Sequence, residues 1–153
     1  MKVADVMKCP IPTLSPLMTW KQAAAFFLEH HLSAAPVVDE QETLVGVLSE
    51  KDLFHGLFPS YGDWLAHPES YVDFEKAEVD RITETAKRTV QEIMSKTLIS
   101  TSPETPILKI GALMVARNVH QVPVVKDGRV IGMVQRGKIY MEILRKYFNI
   151  DRP

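Results

Sequence analysis

The sequence predicts a mixed α/β (α+β) fold that is built from two similar units in one chain. Residues 33–52 contain Ser-Ala-Ala-Pro-Val-Val and then Gly-Val-Leu-Ser-Glu-Lys-Asp, and a related pattern returns over residues 120–138. Pro36 and Pro123 lie 87 positions apart, and the same step links Met7 to Met94. A repeat of this length indicates two copies of one structural unit, each predicted as strand, helix, strand, strand, helix.

The first copy spans residues 1–58. Closely spaced prolines near its start favour an extended backbone there, because proline disfavours helix in the preceding residue. Apolar residues then recur at helical spacing, and Thr19 can cap the helix that they predict. The predicted elements are a strand at 11–14, a helix at 19–31, strands at 36–38 and 44–48, and a helix at 50–58.

The second copy spans residues 89–153, and with the first it is expected to form one globular module. Its two central strands are separated by Asp127-Gly128, a dipeptide typical of a tight hairpin turn. The predicted elements are a strand at 98–101, a helix at 106–117, strands at 122–125 and 129–134, and a helix at 137–147.

An acidic insertion, residues 59–88, separates the two copies and has no counterpart elsewhere in the chain. The charge order from 74 to 90 changes from acidic to basic, which suits a helix dipole, so we predict a helix there. Trp64, Tyr61 and Tyr71 are too apolar for a free linker, and we expect the insertion to pack on the module. Its expected role is structural, with a partner surface as the alternative.

Composition excludes several classes of protein. The chain has 153 residues, of which 46% are apolar and 24% charged, which argues against disorder. A net charge of −1 disfavours nucleic-acid and membrane partners, and no apolar run approaches the roughly 20 residues of a membrane span. Cys9 is the only cysteine and no secretion signal is seen, so we expect a cytoplasmic protein without disulfides.

One polar cluster follows the second strand of the first copy, in the sequence Gly46-Val-Leu-Ser-Glu-Lys-Asp52. Ser49 can cap the next helix, and the carboxylate of Asp52 can accept hydrogen bonds from the vicinal hydroxyls of a ribose. Gly46 leaves room either for a ligand or for close backbone packing. A capping box is the alternative explanation, because Ser-x-x-Asp can serve helix capping without any ligand. The second copy has Gln135 and Lys138 at the matching positions.

These motifs resemble the tandem CBS-domain pair, also called a Bateman module, of a stand-alone CBS domain-containing protein. The Gly-apolar-apolar-Ser-x-x-Asp signature is matched at 46–52, and the apolar-Pro-Val-Val strand is matched in both copies. The resemblance covers most of the chain. It implies two βαββα repeats packed pseudo-symmetrically, with two clefts between them that bind adenosine-containing ligands such as AMP, ADP or ATP.

The resemblance also implies which residues touch the ligand. Asp52 would hold the ribose hydroxyls, Ser49 would lie near the ribose or phosphate, and Val47 would line the cleft. The adenine would rest against Leu98 and Ile99, and the phosphate side would be approached by His120, Gln121 and Arg136. The second cleft, with Thr13, Ala34, Ala35 and Lys138, would be empty or bind an anion, since Lys138 replaces the ribose acceptor.

The expected function is therefore a regulatory homodimer that binds an adenine nucleotide and acts on a separate target protein. The alternatives are a ligand-free interaction module and, less favoured, a nucleic-acid-binding protein. No enzyme, cofactor or metal site is expected, because no nucleophile–base pair or cluster of metal-ligand spacing is found. The expected dimer surface comprises Phe54, Leu57, Phe58, Ile143, Leu144 and Tyr147.

Overall fold

The computed structural model describes residues 1–55, 57, 61–66 and 74–150. Contacts between Cα atoms divide the chain into two compact units, neither of which is continuous in sequence. The N-terminal unit consists of the described residues within 13–39 and 45–96. The C-terminal unit consists of 1–12, 40–44 and 97–150. The first residues of each copy, 1–12 and 89–96, here termed its leading segment, thus belong to the unit that contains most of the other copy.

The order of elements follows the repeat. The N-terminal unit contains α1 (Trp20–His30), β1 (Ala34–Val38), β2 (Leu44–Ser49), α2 (Glu50–His55), α3 (Tyr61–Ala66), α4 (Phe74–Thr85) and α5 (Val90–Ile93), with Leu44 itself in the other unit. The C-terminal unit contains a 3-10 helix (Val3–Asp5), α6 (Ile107–Ala116), β3 (Gln121–Lys126), β4 (Arg129–Gln135) and α7 (Arg136–Phe148). Two repeats of mixed helix and strand are confirmed.

Each unit has a small sheet with the same order of chain segments. In the C-terminal unit β3 pairs with β4 in antiparallel fashion, Thr101 bridges Val124 in parallel, and Lys8 bridges Met133 in antiparallel fashion. In the N-terminal unit β1 pairs with β2, and corresponding bridges join Leu14 to Val37 and Val47 to Ser95. The first residues of one copy therefore extend the sheet of the other.

Helix α1 confirms the predicted cap at Thr19. The Thr19 hydroxyl accepts a hydrogen bond from the backbone N–H of Gln22 at 3.2 Å, and the Gln22 side chain accepts from the Thr19 N–H at 2.8 Å. This reciprocal pair satisfies two backbone donors at the start of the helix. The helix ends at His30, and the next residue, His31, has a φ of 50° in the left-handed region.

The predicted hairpin turn at Asp127-Gly128 is also confirmed. Both residues have positive φ, 51° and 79°, as a two-residue turn of type I′ requires. Lys126 is paired with Arg129 across this turn, and the register shifts between Val124 and Val125. Asparagine, aspartate and glycine tolerate this backbone best, so the local sequence is sufficient to place the turn.

Four predicted elements differ from the structure. Of the strand predicted over 11–14, only Leu14 pairs, through a bridge to Val37 in β1. The helix predicted over 50–58 ends at His55, with Leu57 in a turn, and residues 56 and 58–60 lie outside the described residues. The single helix predicted over 74–90 is wrong, because α4 ends at Thr85. Thr89 then begins α5 by a capping box with Glu92. Of the strand predicted over 98–101, only Thr101 pairs, through β3.

The insertion is described only in part. Tyr71 and residues 67–70 lie outside the described residues, as do the side chains of Tyr61 and Trp64. The prediction that these aromatic residues pack on the module thus stays a prediction.

Buried apolar side chains hold each unit together. In the C-terminal unit, the 3-10 helix and α6 share one core with the inner faces of β3, β4 and α7. Removing such side chains from water stabilises a fold by about 25 cal/mol per Å². The members of this core are Val3, Val6, Ile107, Ile110, Met114, Val122, Val124, Val134 and Ile139. Val3 and Val6 lie at the start of the first copy, yet they complete the core of the unit that contains most of the second.

Candidate functional site

Ser49 and Asp52 lie at the junction between β2 and α2 and form a reciprocal hydrogen-bonded pair. Asp52 Oδ2 accepts from the Ser49 backbone N–H at 2.8 Å and from the Ser49 hydroxyl at 2.7 Å. The Asp52 N–H donates back to Ser49 Oγ at 3.3 Å. Both side chains are half-buried. The pair is a capping box, so the capping alternative raised by the sequence is realised here.

The cap leaves part of the Asp52 carboxylate available for other donors. Only Oδ2 accepts from Ser49, and no side chain in the described part of the chain donates to Oδ1. A carboxylate oxygen can accept two hydrogen bonds, which is the number that two vicinal hydroxyls supply. The cap therefore orients the carboxylate without saturating it. Because the Ser49 hydroxyl donates its proton to Asp52, it can contact a ligand only as a hydrogen-bond acceptor.

Gly46 is required by close backbone packing. A Cβ there would collide with the Sδ atom of Met94 and would lie 3.0 Å from the carbonyl oxygen of Ser95. The Val47 N–H donates to the Ser95 carbonyl at 3.1 Å, and the Ser95 N–H donates to the Val47 carbonyl at 2.9 Å. Of the two explanations offered for Gly46, the structure supports close packing. The backbone of Val47 is held by Ser95, and its side chain is half-buried.

Met94 and Ser95 are contact residues that the sequence analysis did not select. The signal was present, since Met94 lies 87 residues after Met7 and both lie near the start of their copy. In the C-terminal unit, a Cβ on Gly132 would lie 2.6 Å from the carbonyl oxygen of Lys8. Each repeat thus has a glycine at the position where the first residues of the other copy pass over its strand.

The corresponding turn of the C-terminal unit has different chemistry. Gln135 occupies the N-cap of α7 and makes no side-chain capping hydrogen bond. The Lys138 ammonium lies 2.9 Å from Glu142 Oε1, and Arg145 lies 2.9 Å from the same oxygen. The hydrogen bond from Lys138 lowers the pKa of Glu142 from its ordinary value. Lys138 and Arg145 therefore share one carboxylate within their own helix.

His120 and Arg136, two residues predicted on the phosphate side, are adjacent in the C-terminal unit. Arg136 Nη2 lies 2.9 Å from His120 Nδ1 and 3.1 Å from His120 Nε2. The Arg136 backbone N–H donates to the His120 carbonyl at 2.9 Å. A guanidinium has only donors, so the ring nitrogen that takes part in this hydrogen bond accepts it.

The other predicted residues occupy varied environments. Ala34 and Ala35 are buried in β1, so their side chains pack in the fold and only their backbone can face a ligand. Thr13 is exposed just before Leu14. Leu98 is exposed and Ile99 half-buried in the segment before Thr101, and Gln121 is half-buried at the start of β3.

Within each unit, the structure brings one pair of predicted site residues into contact. Ser49 contacts Asp52 in the N-terminal unit, and His120 contacts Arg136 in the C-terminal unit.

A cavity of about 590 Å³ lies beside α6 in the C-terminal unit. It is open, and none of the predicted site residues lines it. The lining residues are Ser100, Thr101, Ser102, Thr105, Lys109, Ile110, Ala112, Leu113 and Ala116.

The described residues contain neither a cluster of metal ligands nor a helix that could span a membrane. No group of three or more His, Cys, Asp or Glu side chains there could hold a metal ion. None of the helices described in the structure combines the length and apolarity of a membrane span.

The two units repeat one mixed fold. In each, another segment of the chain passes close to a strand glycine, so the chain is a tandem-repeat module. The CBS domain family model matches residues 3–58 and 90–145. The chain therefore belongs to the CBS domain family. This confirms the resemblance that the motifs of the sequence carried.

Individual relatives agree with this assignment. Protein MJ1426 of Methanocaldococcus jannaschii is 27% identical over 150 residues, which cover 91% of this chain and 89% of that protein. The CBS domain of a CBS domain containing membrane protein from Sphaerobacter thermophilus is 28% identical with a TM-score of 0.72, covering 92% of this chain and 86% of that chain. The CBS domain pair of protein MJ0100 was solved in complex with 5′-methylthioadenosine and S-adenosyl-L-methionine. It is 25% identical with a TM-score of 0.69, covering 94% and 95% of the two chains.

Proposed function

We propose that the chain is a regulatory module that binds an adenosine-containing nucleotide through the Asp52 carboxylate. The observation that carries the proposal is the geometry of Asp52, whose Oδ2 is held by Ser49 while Oδ1 has no donor among the described residues. The complex of the similar MJ0100 pair with two adenosine compounds supports the ligand class. The proposed ligand resembles AMP, ADP or ATP, and no cofactor is involved.

In the proposed complex the ribose hydroxyls donate to Asp52 Oδ1. A hydrogen bond to a charged group contributes about 1.5–3 kcal/mol, so one such contact changes affinity by roughly 10–100-fold. Because Ser49 already orients the carboxylate, binding loses little side-chain entropy at this position. The half-buried setting of Asp52 also limits competition from water.

The remaining predicted contacts stay part of the proposal. Val47 is assigned to the lining of the cleft, Leu98 and Ile99 to the adenine, and His120, Gln121 and Arg136 to the phosphate. Each assignment is testable by a single substitution. The second site, where Lys138 would meet an anion, also stays a prediction, with Glu142 2.9 Å from the lysine ammonium.

We propose that the module acts as a homodimer on a separate target protein. A nucleotide that binds one conformation of the module more tightly than another shifts the population toward it. The size of the response is limited by that difference in affinity. Regulation by population shift needs no chemistry at the site, in keeping with a binding role rather than catalysis.

The test is nucleotide binding by wild type, Asp52→Ala and the matched variant Lys138→Ala in the other repeat. Thermal stability would be measured against AMP, ADP, ATP, S-adenosylmethionine and NAD, and affinity by titration calorimetry. A ligand at one hundred times its Kd stabilises the folded protein by about 2.7 kcal/mol. We expect a clear shift in wild type and in Lys138→Ala, and an affinity at least about 10-fold weaker in Asp52→Ala. Equal losses in both variants would contradict the role given to Asp52.

The second candidate is a ligand-free interaction module, and one observation favours it. Ser49 and Asp52 form a complete capping box, which accounts for both residues without a nucleotide. On this hypothesis no adenine compound in the panel raises the melting temperature. Ser49→Ala separates the two, since it weakens the cap and leaves the carboxylate in place. Nucleotide binding should largely survive this change if Asp52 binds ribose.

A further inference from the structure

The cavity beside α6, here termed the α6 groove, combines apolar and polar lining residues. Ile110, Leu113 and two alanines of α6 supply its apolar part, and four hydroxyl side chains within residues 100–105 and the ammonium of Lys109 supply its polar part. Small-molecule sites are ordinarily concave and largely apolar, with a few polar groups that fix the orientation of the ligand. The α6 groove has this composition, and its volume of about 590 Å³ falls within the roughly 300–1,000 Å³ of such sites.

The polar and apolar lining residues of the α6 groove lie at different places along the helix. Lys109, Leu113 and Ala116 are spaced at i, i+4 and i+7, so they form one stripe that begins with a cation and continues with apolar side chains. The turn that carries Ser102 and Thr105 leads into α6, so its hydroxyls lie at the same end of the helix as Lys109. A molecule along this stripe would meet polar groups at one end and apolar side chains at the other.

The positive charge of Lys109 has no counterion among the described residues, whose ion pairs involve other lysines and arginines. The nearest acidic residue in the sequence is Glu104, whose Oε2 lies 2.6 Å from the Lys2 ammonium. Glu104 is therefore already paired. Lys109 is also the one charged side chain among the described residues that line the groove, so an anion there would meet a single positive charge.

The hydroxyl groups of Ser102 and Thr105 add a hydrogen-bond donor at the same end of the groove. Ser102 Oγ and Thr105 Oγ1 lie 3.1 Å apart and share one hydrogen bond. Whichever hydroxyl accepts this bond retains its own proton for a ligand. A carboxylate carries one negative charge and only accepts hydrogen bonds, so it matches one ammonium and one hydroxyl donor. A phosphate group carries about 1.5–2 charges and is commonly held by the paired donors of arginine, which the described lining residues lack.

The first repeat has different chemistry on the corresponding face of α1. The residues 87 positions before Thr105, Lys109, Leu113 and Ala116 include an acid and no cation; they are Met18, Gln22, Phe26 and Glu29. The Gln22 side chain already accepts the hydrogen bond from the Thr19 N–H at 2.8 Å that caps α1. Glu29 would repel a carboxylate. An anionic ligand is therefore expected on this face in the second repeat alone.

We infer that the α6 groove binds a small organic carboxylate with a short aliphatic chain. Lys109 and the hydroxyls of Ser102 and Thr105 hold the carboxylate, and the chain lies along Leu113 and Ala116. Burial of the chain against the apolar lining favours binding, and the ammonium selects an anionic head group. This is a second ligand site, within the C-terminal unit, and it does not rest on the proposed nucleotide site.

The test is a titration with hexanoate at pH 7, followed residue by residue through the backbone amide signals in NMR spectra. It compares wild type with Lys109→Ala and the matched variant Lys21→Ala, which removes a lysine of α1. Both lysines are exposed, so neither change should disturb folding. We expect signal shifts in the residues that line the groove, and an affinity about 5-fold weaker in Lys109→Ala alone, the size of an exposed ion pair. Shifts confined to other residues, no shifts at all, or equal losses in the two variants overturn the inference.

Two further probes separate the charge of the ligand from its chain. Hexan-1-ol has the same chain without the charge, and inorganic phosphate has charge without the chain. Both should bind more weakly than hexanoate, and Lys109→Ala should leave the affinity for hexanol unchanged. Ala116→Glu, which introduces the acid of the first repeat, should weaken hexanoate more than hexanol because like charges repel. Hexanol that binds as tightly as hexanoate overturns the role of Lys109, and phosphate that binds more tightly overturns the choice of a carboxylate.

Discussion

The turn after β2 and the turn after β4 occupy the same place in the two repeats and differ in every polar group. The first carries Ser49 and Asp52, which close a capping box and leave a carboxylate oxygen open. The second carries Gln135, which makes no side-chain cap, and Lys138, which pairs with Glu142. The backbone of the repeat is thus duplicated while its chemistry is not, so a ligand site in one turn gives no reason to expect another.

The strands that precede the two turns also share one feature. Each contains a glycine, Gly46 or Gly132, against which the first residues of the other copy pack. The crossing atoms differ, since a Cβ on Gly132 would meet the Lys8 carbonyl, whereas one on Gly46 would first meet the Met94 side chain. A flexible thioether can move aside more easily than a backbone paired in a sheet. The first repeat should therefore tolerate a side chain at its strand glycine better than the second repeat does.

The largest expected effect comes from adding a methyl group at these glycines. Gly132→Ala should lower the free energy of unfolding by about 3 kcal/mol, because the Lys8 backbone must shift, and Gly46→Ala by less, about 1–2 kcal/mol. Urea unfolding of both variants measures the difference. Gly111→Ala is the control, since a Cβ there would lie 3.6 Å from Ile139 Cγ2, an ordinary contact. A greater loss in Gly46→Ala than in Gly132→Ala would contradict this account.

A smaller effect is expected from replacing the N-cap residues of α2 and α7. Ser49→Ala should cost about 1 kcal/mol of unfolding free energy, because it removes the N-cap of α2. Gln135→Ser should gain up to about 1 kcal/mol, since residue 135 already has the extended backbone of an N-cap, with φ −105° and ψ 136°. Chemical denaturation checks both values. A Gln135→Ser variant no more stable than wild type would show that α7 does not need a side-chain cap.

The smallest expected effect concerns the pH dependence of the Lys138–Glu142 pair. The hydrogen bond from Lys138 lowers the pKa of Glu142 in the folded protein. A lowered pKa gives stabilisation that is present above the ordinary value, 4.5, and is lost as the pH falls through the folded-state pKa. Wild type should have a slightly higher urea midpoint than Glu142→Gln at pH 7 and none of this advantage at pH 3. A gap between the two that persists at pH 3 would contradict an electrostatic origin.

Much of the fold could be predicted because its signals are local. The Asp127-Gly128 turn needs positive φ at two adjacent residues, and Thr19 caps α1 through a residue three positions away. The failure at 74–90 is equally local in origin. The charge gradient indicated one helix, while Thr89 and Glu92 begin a new one by capping. A stronger weight on the Thr-x-x-Glu pattern would have found that boundary.

The candidate site was predictable in its residues and less so in its contacts. The spacing of Ser49 and Asp52 allowed both a cap and a ligand acceptor, and the structure shows the cap. The pairing of His120 with Arg136 joins residues 16 positions apart through a hairpin, which the repeat alone does not specify. The roles assigned to Leu98, Ile99 and Gln121 remain predictions.

The order of elements, their approximate bounds and the cap that Ser49 forms with Asp52 follow from the chain itself, because turns, caps and periodic apolar faces depend on neighbours a few residues away. The pairing of Lys8 with Met133 and of Ser95 with Val47 belongs to the three-dimensional structure. Each joins segments far apart in the chain, and backbone hydrogen bonds leave almost no trace in side-chain sequence. The glycines at 46 and 132 are the exception, and their meaning became clear only once the crossing backbone was seen.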